Sequence, residues 1–202
     1  MVDAEEPGER RLEYGADSIA IVRSEIVRSE LTPTEAAVLS LLAIEGERSR
    51  YDLMKSLSKA IGYVWAPAKT QLYALLPRLA ERGLATSRTV REGARPEKKL
   101  FKITSAGRAE LERWLSSEPE SAETFYLRLF VGGLVPPEVL AQHVEWFRER
   151  TAAQLDEYRT IEPTNTRTDN DFFHYFLLRL GIERSEHLLR WSDWVLEELE
   201  AA

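Results

Sequence analysis

Five of the fifteen residues in the stretch VREGARPEKKLFKIT, positions 90–104, are basic: Arg91, Arg95, Lys98, Lys99 and Lys102. Gly93 and Pro96 lie among them, so the cations gather on what reads as the tip of a β-hairpin. Several like charges within a few ångströms of one another are unfavourable unless a polyanion accepts them. Each phosphate so neutralised releases counterions, which makes the gain entropic and steeply dependent on salt. A second set lies just upstream, in APAKTQLYALLPRLAERG. A 100° step per residue places Thr70, Ala74 and Pro77 opposite the leucines of this segment, flanked by Gln71, Tyr73 and Arg78, with Lys69 at the start. Glutamine can bind adenine through two hydrogen bonds; Arg, Lys and Tyr suit phosphate oxygens, and so does a helix N-terminus.

No comparable set suggests catalysis. There is no cysteine, and no phosphate-cradling glycine loop, nucleophile elbow or paired-histidine zinc motif occurs. His143, His174 and His187 are scattered, and Glu183 with His187 reads as a surface i, i+4 pair with no third ligand spaced for a metal. No catalytic residue, metal or cofactor is expected.

The chain of 202 residues carries a net charge of −7, which by itself argues against a polyanionic partner. The average hides a split. Residues 31–115 hold 15 Lys and Arg against 9 Asp and Glu, hence +6, whereas residues 1–30 (4 against 8) and 116–202 (8 against 17) come to −4 and −9. Charge asymmetry of this kind points toward nucleic acid. The absence of cysteine suits a reducing compartment, and neither a signal-peptide core nor 18 consecutive apolar residues appears. The expectation is a cytoplasmic protein with no membrane partner.

The elements that must hold the basic residues are short and well punctuated. Residues 1–17 read as a loose or disordered tail, and 18–30, with Ile19, Val22, Ile26 and Val27 at helical spacing, as a short helix. Thr32, Pro33 and Glu35 spell a capping box with proline at the first helical position. Val38, Leu41, Leu42 and Ile44 should form the inward face of this helix until Gly46. Ser49 with Asp52 starts a second helix (Leu53, Met54, Leu57, Ile61 inward), and a third carries Leu72, Leu75, Leu76 and Leu79 and stops at Gly83. LATSRTV and KKLFKIT then read as a hairpin, and a fourth helix with Leu111, Trp114 and Leu115 runs to about Ser117. Helix, helix, helix, hairpin, helix is the order of a winged helix-turn-helix. Beyond SEPESAE come a short helix, a break at Gly132–Pro136, a long helix from Pro137, a polar loop and a last helix from about Asp171 to Glu200. Its apolar side chains exceed what one surface helix needs, and the aromatics of this half read as core and dimer contact, with a pocket for a planar effector as the weaker reading.

The runs SRYDLMKSL, TQLYALLPRLAERGL and RPEKKLFKITSAGRAELERWL resemble the DNA-binding domain of PadR-type transcriptional regulators over residues 31–117. The segment that begins FYLRLFVGG is similar to the longer α-helical C-terminal domain of one branch of that family. The resemblance implies a homodimer that binds an inverted repeat in a promoter on double-stranded DNA, usually as a repressor, sometimes released by a small-molecule effector. By position it implies that Tyr51 and Tyr73 lie near the DNA backbone and that Arg95 and Lys98 are basic wing residues. Pro77, which lacks an N–H for the Tyr73 carbonyl, should bend or loosen the third helix.

The expected fold is therefore mainly α: a winged helix-turn-helix domain (31–117) followed by an α-helical dimerisation domain (118–202). The DNA-binding residues expected are Tyr51, Lys69, Thr70, Gln71, Tyr73, Arg78, Arg91, Arg95, Lys98 and Lys99. The alternative is a winged-helix module that docks a protein and no DNA.

Overall fold

A computed structural model describes residues 31–60, 69–91, 97–165 and 168–201. The expected tail at 1–17 and helix at 18–30 lie outside the described residues, as do Ile61 and the side chain of Leu72.

Helix α1 (Pro33–Glu45) starts where the capping box places it. Thr32 Oγ1 accepts the Glu35 N–H at 3.3 Å, and Glu35 Oε2 accepts the Thr32 N–H at 2.9 Å. Such a cap contributes about 1 kcal/mol. Ala36, Ala37, Val38, Leu39, Ser40, Leu41 and Leu42 are all buried. A helix buried all round is a central one, and α1 is the axis on which the first core is built. Ile44, expected on the inward face, is 55% exposed. It follows the last buried turn, and Gly46, at φ +77°, turns the chain away directly after it.

A two-residue strand that no sequence period announces, β1 (Arg48–Ser49), comes next. Ser49 also caps α2 (Arg50–Ala60): its Oγ accepts the Asp52 N–H at 3.3 Å and donates to Asp52 Oδ2 at 2.6 Å. Helix α3 (Lys69–Glu81) continues through Pro77. It closes in a Schellman turn, with Leu84 N–H bonded to the Leu79 carbonyl, Gly83 N–H to Ala80, and Gly83 at φ +71°.

Strands β2 (Ala85–Val90) and β3 (Lys98–Ile103) pair antiparallel, Arg88 opposite Leu100 and Val90 opposite Lys98. β1 adds to the other edge of β3, giving the order β1-β3-β2. Ala85, Phe101 and Ile103 bury one face of this sheet on α1 and on α4 (Ser105–Ser116), whose Leu111, Trp114 and Leu115 complete the core. Thr104 gathers three ends at one point, because its hydroxyl caps α4 through Gly107 N–H and donates to the Gly83 carbonyl, while its own N–H bonds the Leu84 carbonyl.

Helix α5 (Ala122–Phe130) faces two ways. Leu127, with Val131 just beyond its end, joins the first core, while Phe125 enters a second with Val144, Phe147 and Val195. The Phe125 and Phe147 rings stack at 4.3 Å, and Trp191 meets both edge-on. A 3₁₀ turn at Gly132–Leu134 leads to α6 (Pro137–Ile161), and a second at Glu162–Thr164 leads to α7 (Asp169–Glu200). The two long helices run antiparallel, as the ion pairs Arg148–Asp193, Arg159–Glu186 and Arg179–Glu162 show. Gly181 lets the backbone of α7 close on the Tyr158 ring, which a Cβ there would meet at 2.8 Å. Among the described residues no helix is long and apolar enough to cross a membrane.

Candidate nucleic-acid interface

Helix α3 presents an outer face because its inner one is fixed. Leu75, Leu76 and Leu79 are buried, Ala74 and Arg78 exposed, and Pro77 sits at the margin. Glu35 ties the helix in place from α1. One of its carboxylate oxygens caps α1, and the other takes Arg82 Nη1 at 2.9 Å. Arg78 reaches the same oxygen only at 4.0 Å, and its side chain keeps 65% of its surface in solvent. Tyr51, at the start of α2, is 73% exposed. Lys69, Thr70, Gln71 and Tyr73 belong to the first half of α3, and their side chains lie outside the described residues.

On the wing Arg95 also lies outside the described residues, whereas Arg91, Lys98 and Lys99 are described and exposed. Strand alternation separates the two lysines. Lys99 shares the face of Phe101, with its ammonium 5.8 Å from that ring's centroid. Lys98 shares the opposite face with Leu100 and lines a shallow cavity of about 480 Å³ with Glu45, Glu47, Arg48, Asp52, Lys55 and Ser56. The Asp52 carboxyl is held below its ordinary range, first by the Ser49 hydroxyl and in smaller part by Lys98 and Arg48.

Arg88, a further wing cation, forms a two-pronged pair with Glu47, at 2.7 Å from Nε and 2.5 Å from Nη2. The pair raises the arginine and lowers the carboxyl. One positive charge of the wing is thereby matched. Glu47 lies 41 residues away in sequence and reaches Arg88 because β1 draws its segment to the sheet; no local signal marks the partnership.

Residues 38–113 match the PadR-like family of transcriptional regulators, and residues 123–200 match the family described as virulence activator alpha, C-terminal. A probable transcriptional regulator of Mycobacterium tuberculosis is 30% identical over 175 residues, which cover 77% of this chain and 92% of that protein. This chain belongs to the PadR-like family of transcriptional regulators. The negative transcriptional regulator PadR of Bacillus subtilis is 28% identical over 175 residues, covering 81% of this chain and 96% of its own. The crystal structure of that PadR with operator DNA aligns at 25% identity over 82% of this chain and 98% of its own, with a TM-score of 0.41. The PadR-type chain is thus a regulator of transcription and not an enzyme, as its relatives are.

Where α4 gives way to α5 and α6, this PadR-type chain holds a buried polar cluster that joins the segment between the two family matches to the start of the second. Arg128 is 2% exposed and lies on the Trp114 ring at 4.1 Å; its Nη2 donates to the Trp114 carbonyl and to Ser117 Oγ, both at 3.0 Å. Burial lowers its pKa to about 10, so it is charged at neutral pH, yet Nε and Nη1 have no partner. Next to it His143, 4% exposed, lies against the Ser117 backbone and has Nδ1 without a hydrogen-bond partner. Burial and the Arg128 charge push the imidazole down to about 4, which leaves it neutral at pH 7. In sequence His143 is one of three scattered histidines; only the packing of α6 against the 116–121 segment gives it surroundings.

Proposed function

We propose that this regulator is a repressor that binds an inverted-repeat operator as a homodimer, through residues 31–117, and pairs through residues 118–202. The observation that carries the reading is the solvent-facing side of α3, framed by exposed Tyr51 and Arg78, beside a wing whose Arg91, Lys98 and Lys99 are also exposed. Lys69, Thr70, Gln71, Tyr73 and Arg95 complete the proposed contact set. Such a surface suits a recognition helix in the major groove with the wing on the adjacent backbone. Repression agrees with the description of the Bacillus relative as a negative regulator. Dimerisation is supported by α7, whose Phe172, Phe173, Phe176, Leu177 and Leu180 form one exposed apolar stripe of the kind that marks a protein contact. Two-fold symmetry then reads two half-sites about one helical turn apart. The setting is the cytoplasm, and a small effector is the remaining part of the reading.

Selecting bound fragments from genomic DNA and titrating the best at two salt concentrations tests it. Affinity should fall steeply as salt rises, and changing Arg95 and Lys98 together to Ala should flatten the salt slope by roughly two units without altering sequence preference. Enrichment of no fragment, or binding indifferent to salt, would refute it and favour a protein-docking module.

A further inference from the structure

Helix α5 takes part in both cores, through Leu127 in that of the winged helix and through Phe125 in that of the long helices, so its seating on α4 decides how the two halves of the chain are aimed. The apolar part of that seating has no direction of its own, because hydrophobic burial rewards contact and not angle. Arg128, on the same helix, supplies the direction. Its guanidinium lies on the Trp114 ring at 4.1 Å, and Nη2 donates to the Trp114 carbonyl and to Ser117 Oγ, both at 3.0 Å. A planar group held by its face and by one edge is fixed in tilt as well as in place. His143 of α6 lies beside it, so three helices meet on this one side chain.

Stability does not account for a buried cation at this point. Among the described residues no carboxylate pairs with Arg128, Glu120 acts on it through its charge alone, and burial is the larger influence. Removal of the guanidinium also orphans no acceptor, since the Trp114 carbonyl still accepts from the Ser117 N–H at 3.3 Å and from the Ser117 hydroxyl at 2.8 Å. An apolar side chain of similar volume in place of a buried charge is often neutral or stabilising. What it cannot supply is the angle.

We infer that Arg128 is a positioning residue, which fixes the angle between the winged helix and the C-terminal half and thereby the half-site spacing that the protein accepts. In a dimer the separation of the two recognition helices is set by whatever joins each winged helix to the two-fold axis. One base pair inserted between half-sites turns one of them by roughly 35° against the other and moves it by about 3.4 Å. A stiff junction rejects such a site, and a loose one tolerates it. The spacing rests on the repressor reading; the fixed angle does not.

The DNA probes are the strongest fragment from the genomic selection and its derivative with one base pair inserted at the centre. The parent should bind the derivative about tenfold more weakly or worse, and Arg128→Met should narrow that ratio to about threefold or less while its melting midpoint stays close to the parent's. Arg128→Lys, which keeps the charge but not the planar face, should lose the discrimination too. Arg150→Met removes an exposed guanidinium that lies over Trp146 within α6 and should change neither quantity. A second measurement needs no DNA. The chain has no cysteine, so spin labels on Arg108→Cys of α4 and Asp156→Cys of α6, both exposed, report the angle within one subunit when labelled chains are diluted with unlabelled ones. The distance distribution should be narrow in the parent and broader in Arg128→Met. Equal widths, an unchanged ratio in Arg128→Met when the parent discriminates, or a ratio lost only together with a large fall in melting midpoint each overturns the proposal. A parent that ignores the insertion, with label widths that differ as stated, overturns the repressor reading instead and leaves the fixed angle standing.

Discussion

His143 should make the fold sensitive to mild acid. Its pKa is lowered from 6.5 to about 4 in the folded chain. A histidine depressed in this way contributes its full stability above the unfolded value, where both states are neutral, and loses it as pH falls toward the folded value. The window therefore runs from about pH 6.5 down to about pH 4. At about 1.4 kcal/mol per pK unit the whole shift corresponds to about 3 kcal/mol, of which about 2 kcal/mol is lost by pH 5. The physical sources are the burial of the ring and the Arg128 guanidinium beside it. Denaturant unfolding of the parent and of His143→Gln at pH 7 and pH 5 isolates the effect, since the carboxylates titrate in both proteins. The stability difference between the two should move by about 2 kcal/mol in favour of the variant on going to pH 5. If it stays constant, or if the ring titrates near 6.5 by NMR, the reasoning about the junction fails.

Glu47→Gln releases Arg88 from its pair and should steepen the salt dependence of DNA binding by about one unit, read from affinities over a series of salt concentrations. Leu177→Glu on the exposed stripe of α7 should shift the protein toward monomer in sedimentation analysis while leaving its helical circular dichroism intact. Gly107→Ala should destabilise by about 2 kcal/mol or more in thermal or denaturant unfolding, because a Cβ there overlaps the Leu84 carbonyl oxygen and backbone would have to move. The better helix propensity of alanine, about 1 kcal/mol, does not offset that overlap.

The features legible in residue order alone are local. Thr32 with Glu35 and Ser49 with Asp52 announce two helix starts because each bond spans three residues, and Gly46 and Gly83 mark turns because only a residue without Cβ sits easily at positive φ. The alternation of KKLFKI specified which residues of β3 face the core, and thus already implied that Lys98 and Lys99 part company, although both were expected in one basic tip. Family membership was legible for the same reason, since the runs around Tyr73 and from Lys99 to Trp114 are contiguous. The remainder came from tertiary packing. β1 was invisible because two residues carry no period, and they become a strand only when β3 lies beside them. Ile44 ended outside because the buried run of α1 stops at Leu42, two residues before it. The neutralisation of Arg88 by Glu47, the perturbation of His143 by Arg128, and the apolar stripe left over on α7 all depend on side chains that meet, or fail to meet, across long stretches of chain. Patterns within one helical turn or one strand are written in the order of residues, whereas desolvation and charge pairing depend on what the folded chain brings alongside.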